Sequence, residues 1–142
     1  MGTWDIGPFD NDTAADFSYR VDEASAEKKA EVLRTAFREV IETGDDYLDA
    51  DLADEAIASA ALLAAQCPGG EPVTTSYGPK DPLPPLPAEL RPQAVTALDR
   101  ILTEPSELLE LWEESDGEQW KAVVRKLRAV LDGADTGSAS GS

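Results

Sequence analysis

Apolar residues return at every third or fourth position along several stretches of this chain, each bounded by residues that start or stop a helix. Over residues 12–22, Ala14, Phe17, Ser18 and Val21 share one face, and Thr13 with Asp16, or Asp10 and Asp12, offers a cap. Ser25 opens a second helix to about Thr43, striped by Ala30, Leu33, Phe37, Val40 and Ile41, and Gly44 ends it. A third is expected over residues 50–66, with Asp49 or Asp51 as its cap. Its body, EAIASAALLAAQC, is small or apolar almost all round, which predicts a central helix that neighbours approach closely.

After Pro68-Gly69-Gly70 the periodicity lapses until Pro92, which suits the first turn of a fourth helix carrying Val95, Leu98, Ile101 and Leu102. Pro105 breaks the chain and Ser106 caps a short fifth helix with Leu108, Leu109, Leu111 and Trp112. Asp116-Gly117 turns into a sixth, with Trp120, Val123, Val124, Leu127, Val130 and Leu131 at helical spacing. Alternation suited to a strand is confined to a brief run from Val73 to Tyr77. The prediction is an all-α fold: a single domain of about six helices over residues 1–132 with one long proline-rich connection. The Gly- and Ser-rich residues 133–142 read as a flexible tail with nothing to bury. Within the connection, GPKDPLPPLP admits two readings: a stiff strap held to the core by Leu83 and Leu86, or a PxxP ligand.

Composition then removes whole classes of chemistry. The 142 residues contain no histidine and a single cysteine, Cys67. Serine–histidine and cysteine–histidine catalysis are therefore excluded within one chain, as is an internal disulfide, and a zinc site is not expected. No phosphate-binding glycine loop or nucleophile elbow is present, so no catalytic residue and no cofactor is assigned. No apolar run is long enough to span a bilayer and no basic-then-apolar segment follows Met1, which makes a cytoplasmic chain the expectation.

Charge changes the picture most. Against 12 Lys and Arg stand 29 Asp and Glu, a net −17. Such a surface repels nucleic acid and anionic membrane and attracts basic proteins. The acids are also unevenly placed. No Lys or Arg occurs over residues 39–79, a span that holds Glu42, Asp45, Asp46, Asp49, Asp51, Asp54 and Glu55. A second acid-only span covers 101–120, with Glu104, Glu107, Glu110, Glu113, Glu114, Asp116 and Glu118. One reading is a solvated, solubilising exterior. The other is a surface for a basic, nucleic-acid-binding protein, contacted by the seven acids from Glu42 to Glu55 and by Glu107 to Asp116, in the manner of an inhibitor or immunity protein.

The opening, MGTWDIGPFDNDTAADF, offers a different candidate: a small-molecule or cation-binding loop of Trp4, Asp5, Phe9, Asp10, Asn11, Asp12 and Asp16. An EF-hand register fails there, since Ala14, Ala15 and Val21 fall where a ligand, the glycine and the final glutamate belong. The same residues read as a folded lead-in, with Trp4 and Phe9 buried and the aspartates capping the first helix. This opening resembles that of a bacterial family known as domain of unknown function 4259, which tends to begin Met-Gly-x-Trp-x-x-Gly-Pro-Phe-Asp-Asn-Asp. Matching positions are Gly2, Trp4, Gly7, Pro8, Phe9, Asp10, Asn11, Asp12, Ala15, Asp16 and Phe17, while Asp5 stands where the family favours a small residue. The segments DEAIASAALLAA and SELLELWEES are similar too, so the likeness covers about residues 1–130 and implies no particular activity.

Overall fold

The computed structural model describes residues 12–66, 86, 89–114 and 117–140, with 12, 14, 26 and 133–140 described as backbone only. Six helices follow in order: α1 (Asp12–Glu23), α2 (Ala26–Thr43), α3 (Ala50–Ala64), α4 (Leu90–Ile101), α5 (Glu107–Glu113) and α6 (Gly117–Ser140). The fold is all-α, and no described helix is long and apolar enough to cross a membrane.

Helix α3 packs against all five others, as its composition predicts. From Ala53 to Ala64 every residue but Glu55 is buried, because alanines and one serine leave room for backbones to close in on each side. Around it, α2 presents Leu33, Ala36, Phe37 and Val40, α4 presents Leu90, Ala94, Ala97, Leu98 and Ile101, and α6 presents Trp120, Val124 and Leu131. Each fully buried side chain of this kind contributes about 1.5–3 kcal/mol relative to exposure. Where α5 turns into α6, Trp112 and Trp120 stack nearly parallel, with ring centroids 6.1 Å apart and 7° between planes.

Helix ends explain most boundaries. Ser106 caps α5, its Oγ accepting from the Leu109 N–H at 3.5 Å. Pro92 lies in the first turn of α4, where its missing N–H has no intrahelical acceptor to lose. The buried Lys29 Nζ donates to Val21 O at 2.6 Å and so places its charge on the carbonyl end of α1. Gly44 closes α2 at φ +58°, a region that favours glycine. A Cβ there meets nothing nearer than Glu42 O at 4.0 Å, so Gly44→Ala is purely a backbone test. It is expected to cost about 1–2 kcal/mol in urea unfolding.

Of the caps offered for α1, Asp10 lies outside the described residues and Asp12 is described as backbone only, while Thr13 lies within the helix, where its hydroxyl donates to Asp51 Oδ1 at 3.2 Å and ties α1 to α3. Asp49 occupies the N-cap position of α3 but makes no side-chain cap bond. The Ala50 N–H, the first donor of the helix and not one that an N-cap side chain serves, goes to Glu107 Oε1 at 2.9 Å, from the start of α5. At the other end of the chain, residues 133–140 are helical backbone continuous with α6, which runs to Ser140. An established helix adds one hydrogen bond for each residue it fixes, so even poor formers can extend it.

Of the proline-rich connection, Leu86 is described. It is half-buried against the core, and its N–H donates to Gln66 Oε1 at 2.9 Å. Leu83, Cys67 and the run from Val73 to Tyr77 lie outside the described residues.

Candidate functional site

The two acid-only spans, far apart in sequence, meet in space. After Gly44 the chain turns through Asp46 and then runs extended from Tyr47 to Asp49, and after Pro105 it enters α5. Leu48 and Ser106 pair here as an isolated parallel bridge. The Leu48 N–H donates to Pro105 O at 3.2 Å, and Leu48 O accepts from the Glu107 N–H at 2.9 Å. Leu48 is wholly buried, so alternation along the extended segment turns its neighbours Tyr47 and Asp49 outward.

Arg100, on the last turn of α4, fastens the two loops together. Its Nε donates to Gly44 O at 2.7 Å, and its terminal nitrogens donate to Asp46 O at 2.7 Å, Pro105 O at 2.8 Å and Thr103 O at 2.7 Å. A planar fork with several fixed donors is the one side chain able to serve carbonyls from two loops at once.

The resulting surface is built from the 45–49 loop and the outer face of α5. Leu108, Leu109 and Trp112 of α5 face the core. Glu110, Leu111 and Glu114 are exposed on the other side, while the half-buried Glu107 turns its carboxylate to the Ala50 N–H. Tyr47 joins loop to helix: its hydroxyl donates to Glu110 Oε1 at 3.1 Å. Partial burial, that hydrogen bond, and the carboxylates of Glu110, Glu107 and Asp49 all push the Tyr47 phenol above its ordinary value. The phenol therefore stays protonated and keeps donating across the neutral range. Tyr47 and Leu111 each remain about half exposed, at 51% and 48%, on elements otherwise rich in carboxylates.

The seven acids predicted as a binding surface divide into two groups. Glu42, Asp45, Asp46 and Asp49 are exposed beside this junction, and no ion pair joins them to a cation among the described residues. Asp51, Asp54 and Glu55 turn instead toward α1. Asp51 accepts from Thr13, and Glu55 pairs with Arg20 at 2.6 Å. Asp54 is only 7% exposed, so it is no part of an open surface. Burial first, then the nearby charges of Asp51 and Glu55, push its carboxyl up from 3.8 to about 7.

Of the alternative loop, Trp4, Asp5, Phe9, Asp10 and Asn11 lie outside the described residues. Asp12 opens α1 as backbone, and Asp16 is exposed on that helix. No cluster of potential metal ligands occurs among the described residues. The sequence pattern does not single out Tyr47 or Arg100, and it groups Leu111 with the apolar residues of α5, whereas the structure leaves Leu111 48% exposed on the face away from the core. A lone tyrosine inside a run of aspartates is the one local signal that marks Tyr47, whereas Arg100 acquires its role only through contacts distant in sequence.

A family model described as a domain of unknown function (DUF4259) matches residues 2–123, a span that takes in α1 to α5 and the first turns of α6. No curated protein and no solved structure matches the chain.

Proposed function

The chain belongs to the DUF4259 family of domains of unknown function, and from its own surface we propose that it is a protein-binding domain. In this reading it acts as an inhibitor or immunity-type protein on a basic, nucleic-acid-binding partner. The observation that carries the reading is the junction of the two acid-only spans at the Leu48–Ser106 bridge, which sets Asp45, Asp46, Asp49, Glu110 and Glu114 around an exposed tyrosine and leucine. A purely solubilising charge needs no such convergence and no apolar centre.

The use of the cations supports the same reading. Arg20 pairs with Glu55 between α1 and α3, Arg34 with Glu89 at the start of α4, Lys121 with Glu113 between α6 and α5, and Arg128 with Asp99 between α6 and α4. Lys29 and Arg100 serve backbone carbonyls. Basic residues thus tie elements together, and although Arg100 sits beneath the junction, the acids around it outnumber this one cation and would steer an incoming cationic surface.

The test is binding of the full chain to an immobilised lysine-rich peptide, followed by ionic strength. Affinity is expected to fall at least tenfold between about 10 and 150 mM, over which the screening length shrinks from about 30 to 8 Å. The triple substitution Asp45→Asn, Asp46→Asn, Asp49→Asn should weaken low-salt binding by a similar factor. No binding at 10 mM, or affinity indifferent to salt, would overturn the proposal.

A further inference from the structure

Taking the acidic junction as the binding surface, as proposed above, we infer that Tyr47 and Glu110 form an arginine-selective anchor at its centre, with Leu111 as the apolar seat beside it. The occupant is an arginine side chain of a basic protein partner.

Three observations lead there. First, the 3.1 Å hydrogen bond from the Tyr47 hydroxyl to Glu110 Oε1 fixes a ring and a carboxylate as one unit. The ring remains half exposed. Glu110 Oε2 carries no hydrogen bond among the described residues. A guanidinium is the cation suited to such a pair: its flat face stacks on the ring while its edge donates to the carboxylate oxygen. An ammonium offers a point charge with no face to stack.

Second, this chain already holds an arginine in that way. Arg20 sits with Cζ 5.1 Å from the Phe17 ring centroid, and its terminal nitrogen lies 2.6 Å from Glu55 Oε2. The arrangement of ring, guanidinium and carboxylate is therefore one that these side chains adopt within a single fold.

Third, Leu111 follows Glu110 on the outer face of α5 and is exposed at 48%. An arginine reaching the carboxylate carries a three-carbon stem that needs apolar surface, and an exposed leucine in an otherwise charged face supplies it. The surrounding Asp45, Asp46, Asp49 and Glu114 are complementary to further cations on the same partner.

The experiment compares an arginine-rich peptide with a lysine-rich peptide of equal length and charge, each titrated against the full chain at about 50 mM salt. The arginine peptide is expected to bind about tenfold more tightly. Tyr47→Ala should bring the two affinities level, whereas Tyr47→Phe, which keeps the ring, should preserve most of the preference. Leu111→Ala should weaken the arginine peptide several-fold. Both substituted side chains are about half exposed, so thermal melts close to that of the unsubstituted chain are expected and separate binding from folding. Equal, salt-sensitive binding of both peptides that Tyr47→Ala leaves unchanged would overturn the anchor and leave the acidic surface standing. Failure of both peptides to bind at low salt would overturn both readings.

Discussion

Replacing Arg100 with alanine is expected to lower stability by about 3 kcal/mol and to weaken binding of basic peptides at the same time. Four backbone carbonyls from the 44–46 and 103–105 segments converge on its guanidinium at 2.7–2.8 Å. Hydrogen bonds to a charged group contribute about 1.5–3 kcal/mol each when buried. Three of these contacts are exposed and water replaces part of them, so the total falls well short of four full bonds. The contact with Pro105 is half-buried and is not easily rehydrated. Arg100→Lys should recover less than half of the loss, because an ammonium cannot address carbonyls on opposite sides of a plane. Urea unfolding gives the first number through its midpoint. Titration with the arginine-rich peptide gives the second, since loops that separate also carry Tyr47 away from Glu110. A variant within 0.5 kcal/mol of the parent chain would mean that water serves these carbonyls as well as the guanidinium does.

This coupling shows what the amino-acid pattern reveals and where it stops. The helices are legible because their signals are local. Gly44, Pro92 and Ser106 mark ends, the stripe from Ala30 to Ile41 faces the core, and the alanine-rich body of α3 declares its central place. The acid-only spans are legible as well, because charge is read directly from residue types. Their junction is not. It depends on Leu48 pairing with Ser106 and on Glu107 reaching the Ala50 N–H, contacts between residues more than fifty positions apart that no periodicity encodes. The cap of α3 shows the same limit. Asp49 is the right residue type at the right position, yet its side chain makes no cap bond, and the Ala50 N–H at the helix start is served by a carboxylate from another helix. Asp54 was grouped with the surface acids because hydrophobic pattern has little resolving power in a helix that is apolar on nearly every side. There, which neighbour packs against which face decides exposure, and α1 covers the face of Asp51, Asp54 and Glu55.

That buried carboxyl leads to the largest expected effect: Asp54→Asn should make the protein more stable by about 4 kcal/mol near pH 8 and leave it almost unchanged near pH 4. In the folded chain the Asp54 carboxyl is raised from 3.8 to about 7, and in the unfolded chain it returns to its ordinary value. Between those two pH values the folded state holds a proton that the unfolded state has released. Stability therefore falls as pH climbs through this window and levels off above it. The full rise corresponds to about 4 kcal/mol at 1.36 kcal/mol per pKa unit. Arg20 offers little relief, because its guanidinium is engaged by Glu55, while Asp51 and Glu55 both add repulsion. Asparagine matches the protonated carboxyl in shape and carries no charge to desolvate, so it removes the slope without opening a cavity. Urea unfolding of both chains at about pH 4, 6 and 8 isolates the effect of Asp54 together with its coupling to Asp51 and Glu55, because the more distant acids contribute alike to each and cancel in the difference. Curves that stay parallel across the window would show that Asp54 ionises in the folded protein as it does in the unfolded one, and that α1 does not seal it from water.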